Sequence, residues 1–396
     1  MKQLRLKFIG TLFFFLNAIG LPAPILFTNL LACIKAKAFL KSKELKLFGL
    51  FAIGSLAYGL VHFWNGVSTI DYLKTAIFMQ LMVFSSLVAY RYIKEHKAEL
   101  DSLFQFIAYF GFGLFILALV LQYTSLKEWF WINHDFSIQG SVLRYKGLSY
   151  EPSFYALCLA PVFIYFFVKS IYISFTKSLF PLIATLIPLL ATLSFGFFGV
   201  LSIAAVCMIV IVLIKYRQIH KVYIAVAVVL GIALSITLSF DNMISKRVDK
   251  MLEGNDTSFN GRVAESYFLA NEMLQDKSVF FGIGLGQIKI LGEKHIRNYY
   301  GYSKEEWPVM TIPNASAETL AIYGYVGLFL RLALQLFLFI KLKVYQNYFS
   351  LYLFLFLFIY QLMGSFITST TELTLWALVF VLPFNELNIK KRESIK

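Results

Sequence analysis

Phe197-Phe-Gly-Val-Leu-Ser-Ile-Ala-Ala-Val-Cys-Met-Ile-Val-Ile-Val-Leu-Ile214 runs for 18 residues without a charge, and Lys215-Tyr-Arg217 follows it at once. As a helix this stretch is about 27 Å long at 1.5 Å per residue. That is close to the roughly 30 Å hydrocarbon thickness of a bilayer. Comparable apolar runs lie at 8–34, 47–65, 72–90, 103–122, 153–174, 178–193, 222–240, 316–340, 347–366 and 371–385. Hydrophobic residues make up 59% of the 396 and charged residues 15%, where a soluble domain carries about 25% charged residues. The chain therefore reads as an all-α polytopic membrane protein.

The formal net charge is +14, but the basic residues are not pooled as on a nucleic-acid-binding face. They stand in short clusters between apolar runs: Lys35, Lys37, Lys41, Lys43 and Lys46; Arg91, Lys94 and Lys97; Lys215, Arg217 and Lys221; Lys341 and Lys343; Lys390, Lys391 and Arg392. This is the positive-inside pattern, and it excludes nucleic acid as a partner. The run 8–34 carries Pro22 and Pro24 after Gly20 and has basic flanks on both sides, so it reads as two short crossings. Twelve spans result, the first two short, with both termini cytoplasmic. The cytoplasmic segments then hold 22 Lys+Arg against 6 Asp+Glu, and the outer segments 13 against 16. The expected organisation is one integral membrane domain. Helices fill 1–240 with an outer loop at 123–152, a large polar outer loop spans 241–313, and helices fill 314–396. Met1-Lys-Gln-Leu-Arg-Leu-Lys leads into the first run without a small-residue cleavage site, so that segment is expected to stay in the membrane. Cys33, Cys158 and Cys207 have neither metal-ligand spacing nor a disulfide framework, and no metal or cofactor is expected.

Chemistry is expected in the outer loops. In the large one, Val263, Tyr267, Ala270 and Leu274 form a helical stripe. Gly261 and Arg262 would open that helix, where an N-terminus and a guanidinium together favour phosphate. Phe280-Phe-Gly282-Ile-Gly284-Leu-Gly286 does not follow a strand, so it is not a dinucleotide site. It reads as a flexible turn dipping into the interface, where small residues let backbone approach lipid head groups or substrate. His295, Arg297, Tyr299, Tyr300 and Tyr302 suit sugar stacking and phosphate binding, and equally an interfacial aromatic belt. Asn314 and Glu318 share one helical face at the outer boundary, and Gly324 and Gly327 permit close helix contact. Arg331 lies deeper, where a charge requires a partner that the sequence does not name. The smaller loop ends Arg144-Tyr-Lys146-Gly-Leu-Ser-Tyr150-Glu151-Pro-Ser153. Glu151 and Ser153 fit helix capping as well as function.

Gly147-Leu-Ser-Tyr-Glu151-Pro-Ser153, the Gly261-Arg262 helix leading to Phe281-Gly282-Ile-Gly284-Leu-Gly286, and Asn314 followed by Gly324-x-x-Gly327 resemble the O-antigen polymerase and ligase superfamily. These are bacterial inner-membrane enzymes with about a dozen spans and one large periplasmic loop. The resemblance implies metal-independent transfer of a glycan from undecaprenyl diphosphate at the periplasmic face, with outer-loop arginines holding the diphosphate. Repeat-unit polymerisation into O-antigen, capsule or a related polysaccharide is the leading reading. Transfer to lipid A-core by a ligase is the first alternative, and a lipid-linked oligosaccharide flippase or transporter the second. Pro313 stands where the ligase motif has His, which weakens the ligase reading. The arginines expected to hold diphosphate are Arg262, then Arg144 and Arg297. Asn314, Gly282 and Gly284 are expected to line the substrate site. The general base is left open among Glu151, His295 and Glu318. Expected partners are the lipid-linked oligosaccharide, the bilayer, and a chain-length regulator and flippase of the same pathway.

Overall fold

A computed structural model describes residues 2–16, 27–39, 41–64, 66–136, 140–216, 249, 253, 257–301, 303, 311–364 and 369–389. Among these residues there are fourteen α-helices. Six are long and apolar enough to cross a membrane. The protein is thus an all-α polytopic membrane protein. The expected span 222–240 and the turn at Gly20–Pro24 lie outside the described residues, as does Tyr302.

The contacts form two compact units, each drawn from separate stretches of chain. The first comprises Met1–Asp101, Arg262–Tyr345 and Tyr360–Pro383. The run 8–34 forms two helices here, α1 (Lys2–Phe14) and α2 (Phe27–Phe39). At 13 residues each, about 20 Å, both are shorter than an ordinary span. Thr28 ties them by donating to the Leu12 carbonyl, 3.0 Å. α3 (Ser42–Trp64) and α4 (Thr69–Glu95) follow. At their basic ends, Arg91 is buried between Glu44 and Glu95, so part of the basic cluster is internally paired.

Residues 262–301 of the polar insert pack within this unit. α10 (Thr257–Gln275) and α11 (Leu291–Tyr300) straddle the glycine run. Leu269, Ala270, Met273 and Leu274 of α10 are buried with Ile283, Leu285 and Ile288, with Ile296 of α11, and with Leu320, Ala321 and Ile322 of α12 (Ala315–Lys341). The expected stripe is present, but its buried centre is the 269/270/273/274 set, and Val263 and Tyr267 are half-buried. Each fully buried Leu or Met contributes about 1.5–3 kcal/mol. α14 (Thr370–Val381) completes the unit and packs on α4 and α1.

The second unit comprises Ser102–Gly261, Gln346–Ile359 and Phe384–Lys396. Most of α5 (Leu100–Leu121) belongs to it. The loop 123–152, expected on the outer side, contains the one-turn helix α6 (Lys127–Phe130) and an antiparallel hairpin, β1 (Trp131–Phe136) and β2 (Gly140–Tyr145). The aromatic face of the hairpin explains it: Trp131 and Tyr145 pair across the strands, are buried, and pack on Phe115. α7 (Pro152–Tyr172) is buried on nearly every side, and it returns as α8 (Phe175–Ala191). The break between the expected spans 178–193 and 197–214 falls at 192–194, where Leu193 has φ 48°, and α9 (Phe195–Tyr216) follows. α13 (Tyr348–Tyr360) ends six residues before the expected span does. Phe104, Tyr165, Phe349 and Phe384 form an aromatic core in which Tyr165 stacks on Phe384 at 4.0 Å.

Candidate functional site

α12 is not one continuous helix. Gly324 has φ 68° and ψ −170°, which breaks it. A break in a membrane helix leaves amides and carbonyls without partners, each costing several kcal/mol in lipid unless satisfied. Here the glycine run supplies the partners. The Ile283 amide donates to the Ala321 carbonyl at 2.9 Å, and the Gly284 amide to Ile322 at 3.0 Å. In return, the Tyr325 and Val326 amides donate to the carbonyls of Val279 and Phe280, at 3.1 and 3.2 Å. The two backbones approach so closely that a Cβ on Gly282 would lie 2.3 Å from the Ile322 oxygen. A Cβ on Gly324 would lie 2.3 Å from the Phe280 oxygen. The Tyr58 hydroxyl of α3 is 2.6 Å from the Ile322 carbonyl and 2.9 Å from that of Phe281, its proton shared between them. The amide of Gly284 is therefore engaged by protein backbone, and that of Gly282 is taken by Ser278.

The first turn of α12 is closed just as fully. Buried Asn314 is its N-cap, accepting from the Ala317 amide at 2.9 Å. Its amide nitrogen donates to the carbonyls of Arg262 and Leu362, each at 2.6 Å. The Ala315 and Ser316 amides donate to Gly364 and Gln361. Asn314 is thus a bridge that fixes α10 and the segment after α13 to the start of α12. Arg262 lies on the second turn of α10, because the helix starts at Thr257. The expectation that Arg262 opens a helix is corrected: it stands five residues after Thr257, where α10 begins. Its side chain is half-buried, and among the described residues no hydrogen bond or ion pair engages the guanidinium.

Glu318 lies one turn into α12, half-buried, and no hydrogen bond reaches its carboxylate among the described residues. The charged groups around it are Arg331, Glu372 and Lys289. Arg331 has three protein partners. Nε donates to Gln361 Oε1 at 2.9 Å, Nη1 to Thr319 Oγ1 at 3.3 Å, and Nη2 to Glu372 Oε1. Glu372 is itself held by Trp376 Nε1 at 3.1 Å, and Gln361 by a reciprocal pair with Gln335. A guanidinium at this depth needs such a shell. On the α10 side, burial pushes the Tyr267 phenol up, while Ser316, Asn314 and Arg331 beside it pull it back.

The other expected residues are committed elsewhere. His295 Nε2 lies 2.6 Å from Asp276 and Nδ1 3.5 Å from Glu272. Arg297 donates to Glu293 at 2.7 Å and to the Ser303 carbonyl at 2.6 Å. In the second unit, Arg144 Nε donates to the Thr192 carbonyl at 2.9 Å, where α8 ends. A cation there complements the helix dipole. Glu151 precedes α7 and accepts from the Ser153 hydroxyl. Asn314 thus ties the Arg262 backbone to the start of α12, one turn before Glu318. Sequence reasoning missed Tyr267, Gln335, Gln361 and Glu372 as members of this polar cluster. An acid inside the apolar run 371–385 was the available signal for Glu372.

The fold and this cluster define a polytopic membrane protein with a charged centre in the N-terminal half of a broken helix and its surroundings. Residues 180–334 match the family model described as O-antigen ligase, which supports the O-antigen polymerase and ligase superfamily for this chain. The matched segment contains Arg262, Gly282, Gly284, His295, Arg297, Asn314, Glu318 and Arg331, and it excludes Arg144, Glu151 and Glu372. No curated protein matches the chain.

Proposed function

We propose that the protein polymerises undecaprenyl-diphosphate-linked repeat units into a surface polysaccharide at the periplasmic face of the bacterial inner membrane. What supports this most directly is that Asn314 ties the Arg262 backbone to the first turn of α12, which carries Glu318, inside the matched segment. An acceptor sugar hydroxyl attacks the anomeric carbon of the donor chain. The bond from that carbon to the diphosphate oxygen breaks, and undecaprenyl diphosphate leaves with the electron pair. Arg262, whose guanidinium has no protein partner among the described residues, offsets the developing charge by paired charge-assisted hydrogen bonds. Glu318 accepts the hydroxyl proton, no hydrogen bond engaging its carboxylate among the described residues, where His295 and Glu151 are engaged. Arg331, already balanced by Glu372, keeps a cation beside Glu318.

The test is the glycan ladder of cells carrying Arg262→Ala or Glu318→Gln at unchanged expression. Collapse to single repeat units is the expected result, and long chains of normal distribution would remove the assigned roles. The description carried by the matching family favours a second reading, ligation onto lipid A-core. The products separate the two. Loss of a polymerase leaves single units on the core, and loss of a ligase leaves long chains on the lipid carrier. A reporter inserted in α11 near residue 294 should be periplasmic on either reading.

A further inference from the structure

We infer that residues 278–288, inside the polar insert, form a re-entrant segment that dips into the bilayer and presents Phe280 and Phe281 to lipid acyl chains. Ser278-Val-Phe-Phe-Gly-Ile-Gly-Leu-Gly-Gln-Ile288 carries no charge and is bounded by Lys277 and Lys289. An uncharged stretch of this length is too short to span and is suited to entering and leaving on one side.

Its hydrogen bonds measure its depth. Both ends bond to the short connection between α3 and α4. Lys277 Nζ donates to the Gly66 carbonyl at 2.8 Å, and Gln287 exchanges bonds with the backbone of Ser68 at 3.1 and 3.3 Å. The middle bonds deeper. Phe281 meets Tyr58, six residues before the end of α3, and Ile283 and Gly284 meet Ala321 and Ile322, six and seven residues into α12. At 1.5 Å per residue both gauges place the apex about 9–11 Å below the helix ends. Non-helical backbone at that depth is tolerated only where protein satisfies it. The exchange of amides and carbonyls with α12 across the Gly324 break does this.

The outward face names the occupant. Phe280 is 66% and Phe281 44% exposed, and on α12 Val326, Phe329 and Leu330 are exposed as well. The Phe280 carbonyl accepts from the Val326 amide, so the loop face continues the apolar face of a membrane helix. In water such a patch invites aggregation; beside α12 it meets the same hydrocarbon as the helix. The inference goes beyond the transfer reaction and holds for polymerase and ligase alike.

Single cysteines at Phe280→Cys, Phe281→Cys and Lys294→Cys, on a chain with Cys33, Cys158 and Cys207 replaced by Ala, test it in opened membranes. These three side chains point outward, so the substitutions spare the packing. A membrane-impermeant maleimide should label position 294 and leave 280 and 281 unlabelled, with all three labelled after SDS denaturation. Labelling of 280 and 281 as readily as 294 would overturn the inference. So would an oxidative cross-link between copies through position 280, which would assign that face to a second copy of the chain. Spin labels at 280 and 281 give an independent reading. Relaxation enhanced by oxygen more than by an aqueous nickel chelate is expected, and the reverse order would sink the re-entrant placement.

Discussion

Arg331 of α12 is paired with Glu372 of α14, whose side chain is only 3% exposed. Neither charge could sit there alone, because removing one partner leaves the other desolvated and uncompensated. Glu372→Leu or Arg331→Met should each destabilise the protein by about 3–5 kcal/mol. The double variant should recover most of that loss, since a buried ion pair exchanged for apolar groups is often neutral. Thermal unfolding in detergent measures both. If the proposed chemistry holds, the recovered double variant still makes short glycan chains.

The two glycines of the α12 break predict a second outcome. At Gly282 and Gly324 a methyl group collides with backbone, and both have positive φ. Gly324→Ala should cost at least about 2–3 kcal/mol, from strain plus separated hydrogen bonds. Gly54→Ala on α3 meets nothing within 4 Å, and it should be neutral or stabilising by up to about 1 kcal/mol. Yield of folded protein on size exclusion separates the two.

Asn314 works through both ends of its side chain. Asn314→Ser keeps a capping oxygen but loses the donors to Arg262 and Leu362. It should therefore lose more than the roughly 1 kcal/mol of an N-cap change. The added loss is read as faster proteolysis within α10 at unchanged protection of α12.

The arginines should differ sharply from one another. Arg297→Ala gives up the pair with Glu293 and the bond to the Ser303 carbonyl, and should cost about 1–3 kcal/mol of stability with chain length preserved. Arg262→Ala, which breaks no side-chain contact among the described residues, should leave the melting temperature unchanged and shorten the chains. Comparing melting curves with glycan ladders for the pair decides this.

Membrane class, most helix positions and the buried stripe on α10 were legible in the sequence, because hydrocarbon imposes a length and a periodicity that each segment must satisfy locally. Arg262, Asn314 and Glu318 could be nominated from residue type and spacing. What they touch could not, since Asn314 meets Arg262 across 52 residues and Arg331 meets Glu372 across 41. The glycine run shows the difference most plainly. Its composition allowed a close approach of backbone to something, and head groups or substrate were the natural reading. Only the tertiary structure disclosed that the something is the backbone of α12. An unpaired carbonyl at a helix break in lipid must find a donor, and the nearest amides belong to a segment distant in sequence and adjacent only once the chain has folded.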